Sequence, residues 1–261
     1  MKSEKKDLKN YYPENIKYEE RKYREIVNTN DLVKFSVSVK ETDLLISAEK
    51  DLSKEVMSAI LKYRNQIEKY IDEYPIFKAT LEPYMPDKYA PKIVQDMSKI
   101  CSQVGIGPMA GVAGAVSEFV GFDILPLSPE FIIENGGDIF FNTKKVRTVG
   151  IYAGKSPLSN KIAIEIQPHS TPIGICTSSG TVGHSFSFGK ADAVIIVSQS
   201  AILADAAATA VGNIVKTTDD ILKGIEEVKK ISGLLGVVII KDDKMGCWGE
   251  LKLVPLSIKE H

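Results

Sequence analysis

From Gly105 to Gly212 the chain is dense in Gly, Ala and Ser and poor in large polar side chains. The tightest case is Met109 to Val120, where Ala110, Gly111, Ala113, Gly114 and Ala115 fall in one stretch of helical length. A glycine destabilises a helix interior by roughly 1 kcal/mol relative to alanine, so two of them need a reason. Close approach of a second backbone or of a ligand supplies one. The expectation is a helix packed beside the turn Asn135 to Asp138, with Ala110, Gly111 and Gly114 allowing the approach.

Periodicity places the other elements. Val33, Phe35, Val37 and Val39 alternate with polar residues as in a half-buried strand, and Asp43 to Ala48 makes a partner for it. Leu52, Val56, Ile60, Ile67 and Ile71 recur at helical spacing and end at Pro75. A further helix runs from Pro91 to Val104 with Gly105 as its cap. Short strands follow at Phe131 to Ile133, Ile139 to Asn142, Thr148 to Ala153, Ile162 to Ile166, Ile173 to Cys176 and Ala193 to Val197. Helices are expected at Ala201 to Val215 and at Thr218 to Ile231, the latter capped by Thr217 or Thr218 with Asp219 and Asp220 in its first turn. A hairpin of Leu235 to Lys241 with Glu250 to Val254 closes the chain. The pattern is that of an α/β protein in the α+β sense, a largely antiparallel sheet core flanked by helices.

At 261 residues the chain is near the upper limit of one hydrophobic core, and one domain with a polar N-terminal extension of about 30 residues is expected. A net charge of -1 gives no bulk drive toward nucleic acid or anionic lipid. Three scattered cysteines, Cys101, Cys176 and Cys247, argue against a disulfide framework and a structural zinc site. No apolar signal core follows Met1, and the longest apolar runs are too short to span a bilayer, so a cytoplasmic location without a membrane partner is expected.

Three segments could carry chemistry. Asn135-Gly136-Gly137-Asp138 lies between two strands; its Gly-Gly leaves N–H groups open to an anion or a planar ring, or makes an ordinary tight turn. Thr177-Ser178-Ser179-Gly180-Thr181-Val182-Gly183-His184 follows a buried strand and offers hydroxyls and N–H groups to phosphate oxygens, or forms a surface loop. It lacks the Gly-Lys-Ser/Thr ending of a P-loop. Asp205 and Thr209, four apart, share one face of an Ala-rich helix. As hard oxygen donors they suit Mg²⁺ beside a pyrophosphate; alternatively they are a helix-start carboxylate and a hydroxyl bonded to the preceding turn.

In this order the segments resemble the ApbE-like superfamily, whose best-known members are FAD:protein FMN transferases. There a small-residue helix precedes a Gly-Gly-Asp turn, a Thr-Ser-Gly segment and a helix with Ala-Asp-Ala-x-x-Thr-Ala, matched here at Gly107 to Val120, Asn135 to Asp138, Thr177 to Gly180 and Ala204 to Ala210. The match covers about half the chain. Asn-Gly-Gly-Asp together with Ser-Gly-Thr-Val-Gly-His-Ser-x-Ser-Phe-Gly, at Ser179 to Gly189, resembles most the ApbE-like group called uncharacterised protein family 280. The resemblance implies an ApbE-like, T-fold-like architecture. It further implies Asp205 and Thr209 as Mg²⁺ ligands against the FAD pyrophosphate, His184 and Asp205 in catalysis, and contacts to the ligand from Gly111, Asn135, Gly136, Gly137, Asp138, Thr177, Ser178, Ser179, Gly180 and Thr181. In the transferases an acceptor-protein threonine attacks the FMN phosphorus and AMP leaves. Two departures stand out. Ala110 and Ala115 occupy the places of a Lys and an Asp in the transferase helix, and the His-x-x-Asp-Pro hairpin is shortened to Gly183-His184-Ser185-Phe186-Ser187. Two functions are therefore carried forward: Mg²⁺-dependent flavin transfer to a protein hydroxyl, and a non-catalytic flavin or nucleotide binding module. A homo-oligomer is compatible with either.

Overall fold

The structure, a computed structural model, describes residues 27, 29–181 and 189–256. Eleven strands and six α-helices are formed among them: β1 (Val33–Val39), β2 (Thr42–Ala48), α1 (Ser53–Glu73), α2 (Ile76–Ala79), α3 (Lys92–Gln103), α4 (Val112–Ile124), β3 (Phe131–Asn135), β4 (Asp138–Asn142), β5 (Arg147–Gly150), β6 (Ile162–Ile166), β7 (Ile173–Ser178), β8 (Ala193–Ser198), α5 (Ala201–Ile214), α6 (Asp220–Lys229), β9 (Leu234–Lys241), β10 (Lys244–Gly249) and β11 (Lys252–Pro255). An eight-stranded sheet runs in the order β1-β2-β3-β4-β7-β8-β9-β10, and a three-stranded sheet in the order β11-β6-β5. Every pairing in both is antiparallel. No single described helix is long and apolar enough to cross a membrane.

The layers follow from strand alternation. In β4, Phe140 faces a core shared with the helices, while Ile139 and Phe141 face a second core under the small sheet. The central strands are thus covered on both sides, which explains why β8, Ala-Val-Ile-Ile-Val-Ser, is buried throughout and lacks a polar face. The helix-side core joins Leu44, Ile60, Met97, Val120, Val194, Ala204 and Val211, among others. The start of the described chain is clasped to the small sheet: Arg147 donates to both oxygens of Asp31 (2.6 and 3.0 Å) and to Glu130 (2.6 Å).

Most expected elements form within a few residues of their predicted limits. The cap of α3 is a Schellman motif: Gly105 takes φ +73°, Gly105 N–H donates to Ser102 O and Ile106 N–H to Cys101 O. Three expectations change. The small-residue helix begins with a 3-10 turn, Pro108–Gly111, before α4. At α6 the carboxylate of Asp220 reaches back to the N–H groups of Lys216 and Thr217 and the Thr217 hydroxyl, so a threonine cap does not form. The closing hairpin pairs β9 with β10, and residues 252–255 leave it to join β6 in the small sheet. The strand β10 was hidden because Lys244 to Gly249 carries glycines and no alternation of apolar residues.

The close approach is real, but its partner is α5. A Cβ on Gly114 would collide with the Ala201 carbonyl, lying 2.7 Å from its carbon, and would stand 3.0 Å from Asp205 Cβ. Gly111 packs against Cys101 and Ile202. The helix also meets the Asn135–Asp138 turn, the Ala113 carbonyl accepting from Asn135 Nδ2 at 3.1 Å. Gly114→Ala should therefore destabilise by about 3 kcal/mol, because backbone must move. Gly111→Ala meets side-chain atoms no nearer than 3.0 Å and should stay within about 1 kcal/mol of neutral. Urea unfolding of both variants checks this contrast.

Candidate functional site

The site grows from the N-terminus of α4. The first N–H groups of a helix lack partners within it and carry partial positive charge. Here the carboxylate of Asp205, on α5, accepts the Gly114 N–H at 2.9 Å and also the Ala113 N–H. The arrangement is returned at the start of α5. Glu118, on α4, accepts the Ser200 hydroxyl at 2.9 Å, the Ile202 N–H at 3.1 Å and the Ala201 N–H. Each helix supplies the carboxylate that satisfies the other's first turn. Sequence reasoning missed Glu118; the signal was one of only two charges in α4.

Facing Asp205 is Asp138, buried at the end of the β3–β4 hairpin. The turn between the two strands has Gly136 at φ +67° and Gly137 at φ +106°, the two positive φ values of a two-residue hairpin turn. Its Gly137 N–H donates to Glu134 at 2.8 Å, so this amide is already engaged. Asp138 Oδ1 accepts the Thr177 N–H at 3.2 Å. The buried Cys176 thiol lies between Asp138 and the Ala201 carbonyl, 3.4 Å away.

Burial pushes the Asp138 carboxyl well above the carboxylate range, and the charge of Asp205 adds to it; the Thr177 N–H and Cys176 oppose the shift. Burial likewise pushes Asp205 up to about 7, against the pull of the Gly114 and Ala113 N–H groups. Burial and the nearby Asp205 hold the Cys101 thiol up at about 12, and Cys176 is raised by burial, Asp138 and Asp205. Neither thiol is an available nucleophile near neutral pH.

The other sequence-selected residues distribute along this line. Thr209 is half-buried, one turn beyond Asp205 on the same face of α5. Gly212 continues that face, and a Cβ on it would stand 3.1 Å from Ser178 Oγ. Thr177 pairs with Ile195, whose side chain belongs to the core under the small sheet, so strand alternation turns the Thr177 side chain to that face. Its backbone N–H, rather than its hydroxyl, serves the Asp138 side. Ser179 and Thr181 bond to one another, and Thr181 donates to Asp192 at 3.0 Å. Gly180 donates to Ala191 O. These three form an exposed turn anchored on the approach to β8. His184 lies outside the described residues. Among those described, no three His, Cys, Asp or Glu side chains are arranged to hold a metal ion. The oxygen donors are Asp205, Asp138, the Thr209 hydroxyl and main-chain carbonyls. That set suits Mg²⁺, which takes few protein ligands and keeps several waters.

A raised carboxyl pKa has a definite sign in stability. The folded site holds protons that the unfolded chain releases from about pH 3.8 upward. Its contribution is complete below that value and is lost as pH rises through about 7. The metal-free thermal midpoint should therefore fall between about pH 5 and about pH 8. Differential scanning calorimetry across this range reads the sign.

Comparison with known proteins gives the family and the fold. A family model described as AbpE bacteria matches residues 24–234. A UPF0280 protein of Methanothrix thermoacetophila is 42% identical over 196 residues, 74% of this chain and 82% of the relative. Among solved structures, the flavin transferase ApbE from Vibrio cholerae gives a TM-score of 0.55 at 12% identity, covering 86% of this chain and 97% of that one. The apo form of the Pseudomonas stutzeri flavinyl transferase ApbE gives 0.55 at 12% identity, covering 83% and 93%. At such identities the likeness is one of fold. The chain belongs to the UPF0280 family and has an ApbE-like fold.

Proposed function

We propose that this protein binds a flavin dinucleotide together with Mg²⁺ beside the α4 N-terminus, and that the site serves transfer of FMN from FAD to a hydroxyl of an acceptor protein. The observation that carries the reading is the facing pair Asp138 and Asp205. A buried carboxylate facing a half-buried one resists joint ionisation, and a cation with a diphosphate beside it removes the conflict. Asp205 and Thr209 would hold the ion. When bound, it would neutralise charge on the phosphoryl oxygens. Asn135 fixes the α4 start against the β3–β4 turn through Ala113 O, and Asp138 is held in place by the Thr177 N–H. Ser178 borders the far end of the same helix face. Gly136, Gly137, Ser179, Gly180 and Thr181 are proposed to form the outer contacts. His184 is proposed as a catalytic group by family resemblance alone.

A specific observation favours a second reading, a flavin-binding module without turnover. Ala115, in the place of a transferase carboxylate, is fully buried in the helix-side core, so that position offers the ligand nothing.

Isothermal titration of FAD with and without Mg²⁺ tests the reading. Asp205→Asn keeps an oxygen to accept the Gly114 N–H and removes the charge. It should leave the fold intact, with metal-free stability near pH 8 equal to or above that of the parent. Its FAD affinity should lose most of its Mg²⁺ dependence. Equal metal dependence in both proteins removes Asp205 from the site, and absence of FAD binding under every metal condition removes the flavin reading. AMP release in the presence of acceptor protein separates transfer from holding.

A further inference from the structure

Between α1 and the start of α4 lies a cleft of about 620 Å³, within the range of small-molecule sites. Ile67, Ile71, Met109, Val112 and Val116 give it an aliphatic lining, and Ala113 and Asn135, joined by their hydrogen bond, mark its end nearest Asp205. Arg64 also lines it. The terminal nitrogens of Arg64 are engaged: Nη1 donates to Thr42 Oγ1 at 2.7 Å, and Nη2 donates to Glu41 at 2.6 Å and to Glu68 at 2.7 Å. Its Nε is buried without a hydrogen-bond partner among the described residues. The side chain still keeps 16% of its surface exposed. Three of the five guanidinium N–H groups are thus engaged and a fourth is covered, which leaves one Nη1 N–H and the flat face of the group to meet a ligand. Lys40, Arg64 and Lys78 are matched in the lining by Glu41, Glu68 and Asp72, so the cleft has no net positive charge to favour a phosphate. A flat cationic face beside an aliphatic lining suits a planar ring.

We propose that this cleft takes a planar heteroaromatic ring of the ligand, stacked on the Arg64 guanidinium. The inference rests on the flavin reading above and extends it: FAD carries two such rings, and one lodged here leaves its diphosphate to run past Ala113 toward Asp205. Riboflavin and adenosine carry the two rings without phosphate and are the probes. Each is titrated without metal into the parent protein, Arg64→Lys and Ile71→Trp. Lysine keeps the charge and its carboxylate partners but has no flat face. The indole narrows the aliphatic side of the cleft and leaves Arg64 in place. One probe should bind the parent, with affinity reduced about tenfold or more in both variants, and which probe responds tells the isoalloxazine from the adenine. Circular dichroism and thermal midpoints confirm that the variants are folded. Unchanged affinity in both folded variants, or failure of both probes to bind the parent, overturns the proposal. The flavin and metal reading is judged separately by the Mg²⁺ dependence of FAD binding through Asp205. Ring binding without that dependence sinks the reading alone, and the reverse sinks the ring site alone.

Discussion

Ala201 opens α5 in the angle between α4 and β7, and neither neighbour leaves room for a side chain opposite it. A Cβ on Gly174 would lie 2.5 Å from Ala201 Cα, and one on Gly114 would strike the Ala201 carbonyl. Contact this close brings backbone against backbone and would bury the first turns of both helices without water. Unpaired N–H groups in such a place each carry a desolvation penalty of about 1–3 kcal/mol. Glu118 and Asp205 remove it by exchanging carboxylates between the helices. The position of α5 on the sheet, the lie of α4 over β4 and the placement of Asp205 opposite Asp138 all depend on this junction.

The junction also sets the electrostatics of the site. Asp205 is drawn toward ionisation by two helix amides and away from it by burial beside a second carboxylate. A carboxylate balanced in this way responds to a cation more strongly than one on the surface, where solvent already screens it. Its structural task in capping α4 also means that it is no freely exposed side chain. Truncation to alanine would strip partners from the Ala113 and Gly114 N–H groups, so only an isosteric change separates charge from packing.

Much of this was legible in the sequence, for identifiable reasons. Gly111 and Gly114 within one helix announced a close approach, and the spacing of Asp205 and Thr209 placed both on one helix face. The sequence could not say which backbone approached. Gly114 meets α5, ninety-odd residues away, and nothing local distinguishes that partner from the nearer Asn135–Asp138 turn. The hydroxyl-rich segment reaches the site in a way its composition does not show. Thr177 lies on a strand covered on both faces, and one step of alternation turns its hydroxyl to the opposite core while its N–H stays with Asp138. Arg64 passed unnoticed because a charged residue on an amphipathic helix reads as solvent-facing; the β1–β2 turn that covers it is brought there only by the fold.

The central proposal is that buried Asp138 and half-buried Asp205, beside the α4 N-terminus, form a divalent-cation site. Anomalous scattering from Mn²⁺ soaked into crystals with FAD, as a stand-in for Mg²⁺, tests it most directly. The account requires a peak within coordination distance of an Asp205 carboxylate oxygen and the Thr209 hydroxyl, next to the ligand's phosphates. A fully occupied ligand whose manganese peak lies away from Asp205, or crystals with bound FAD and no peak in the site, would contradict it.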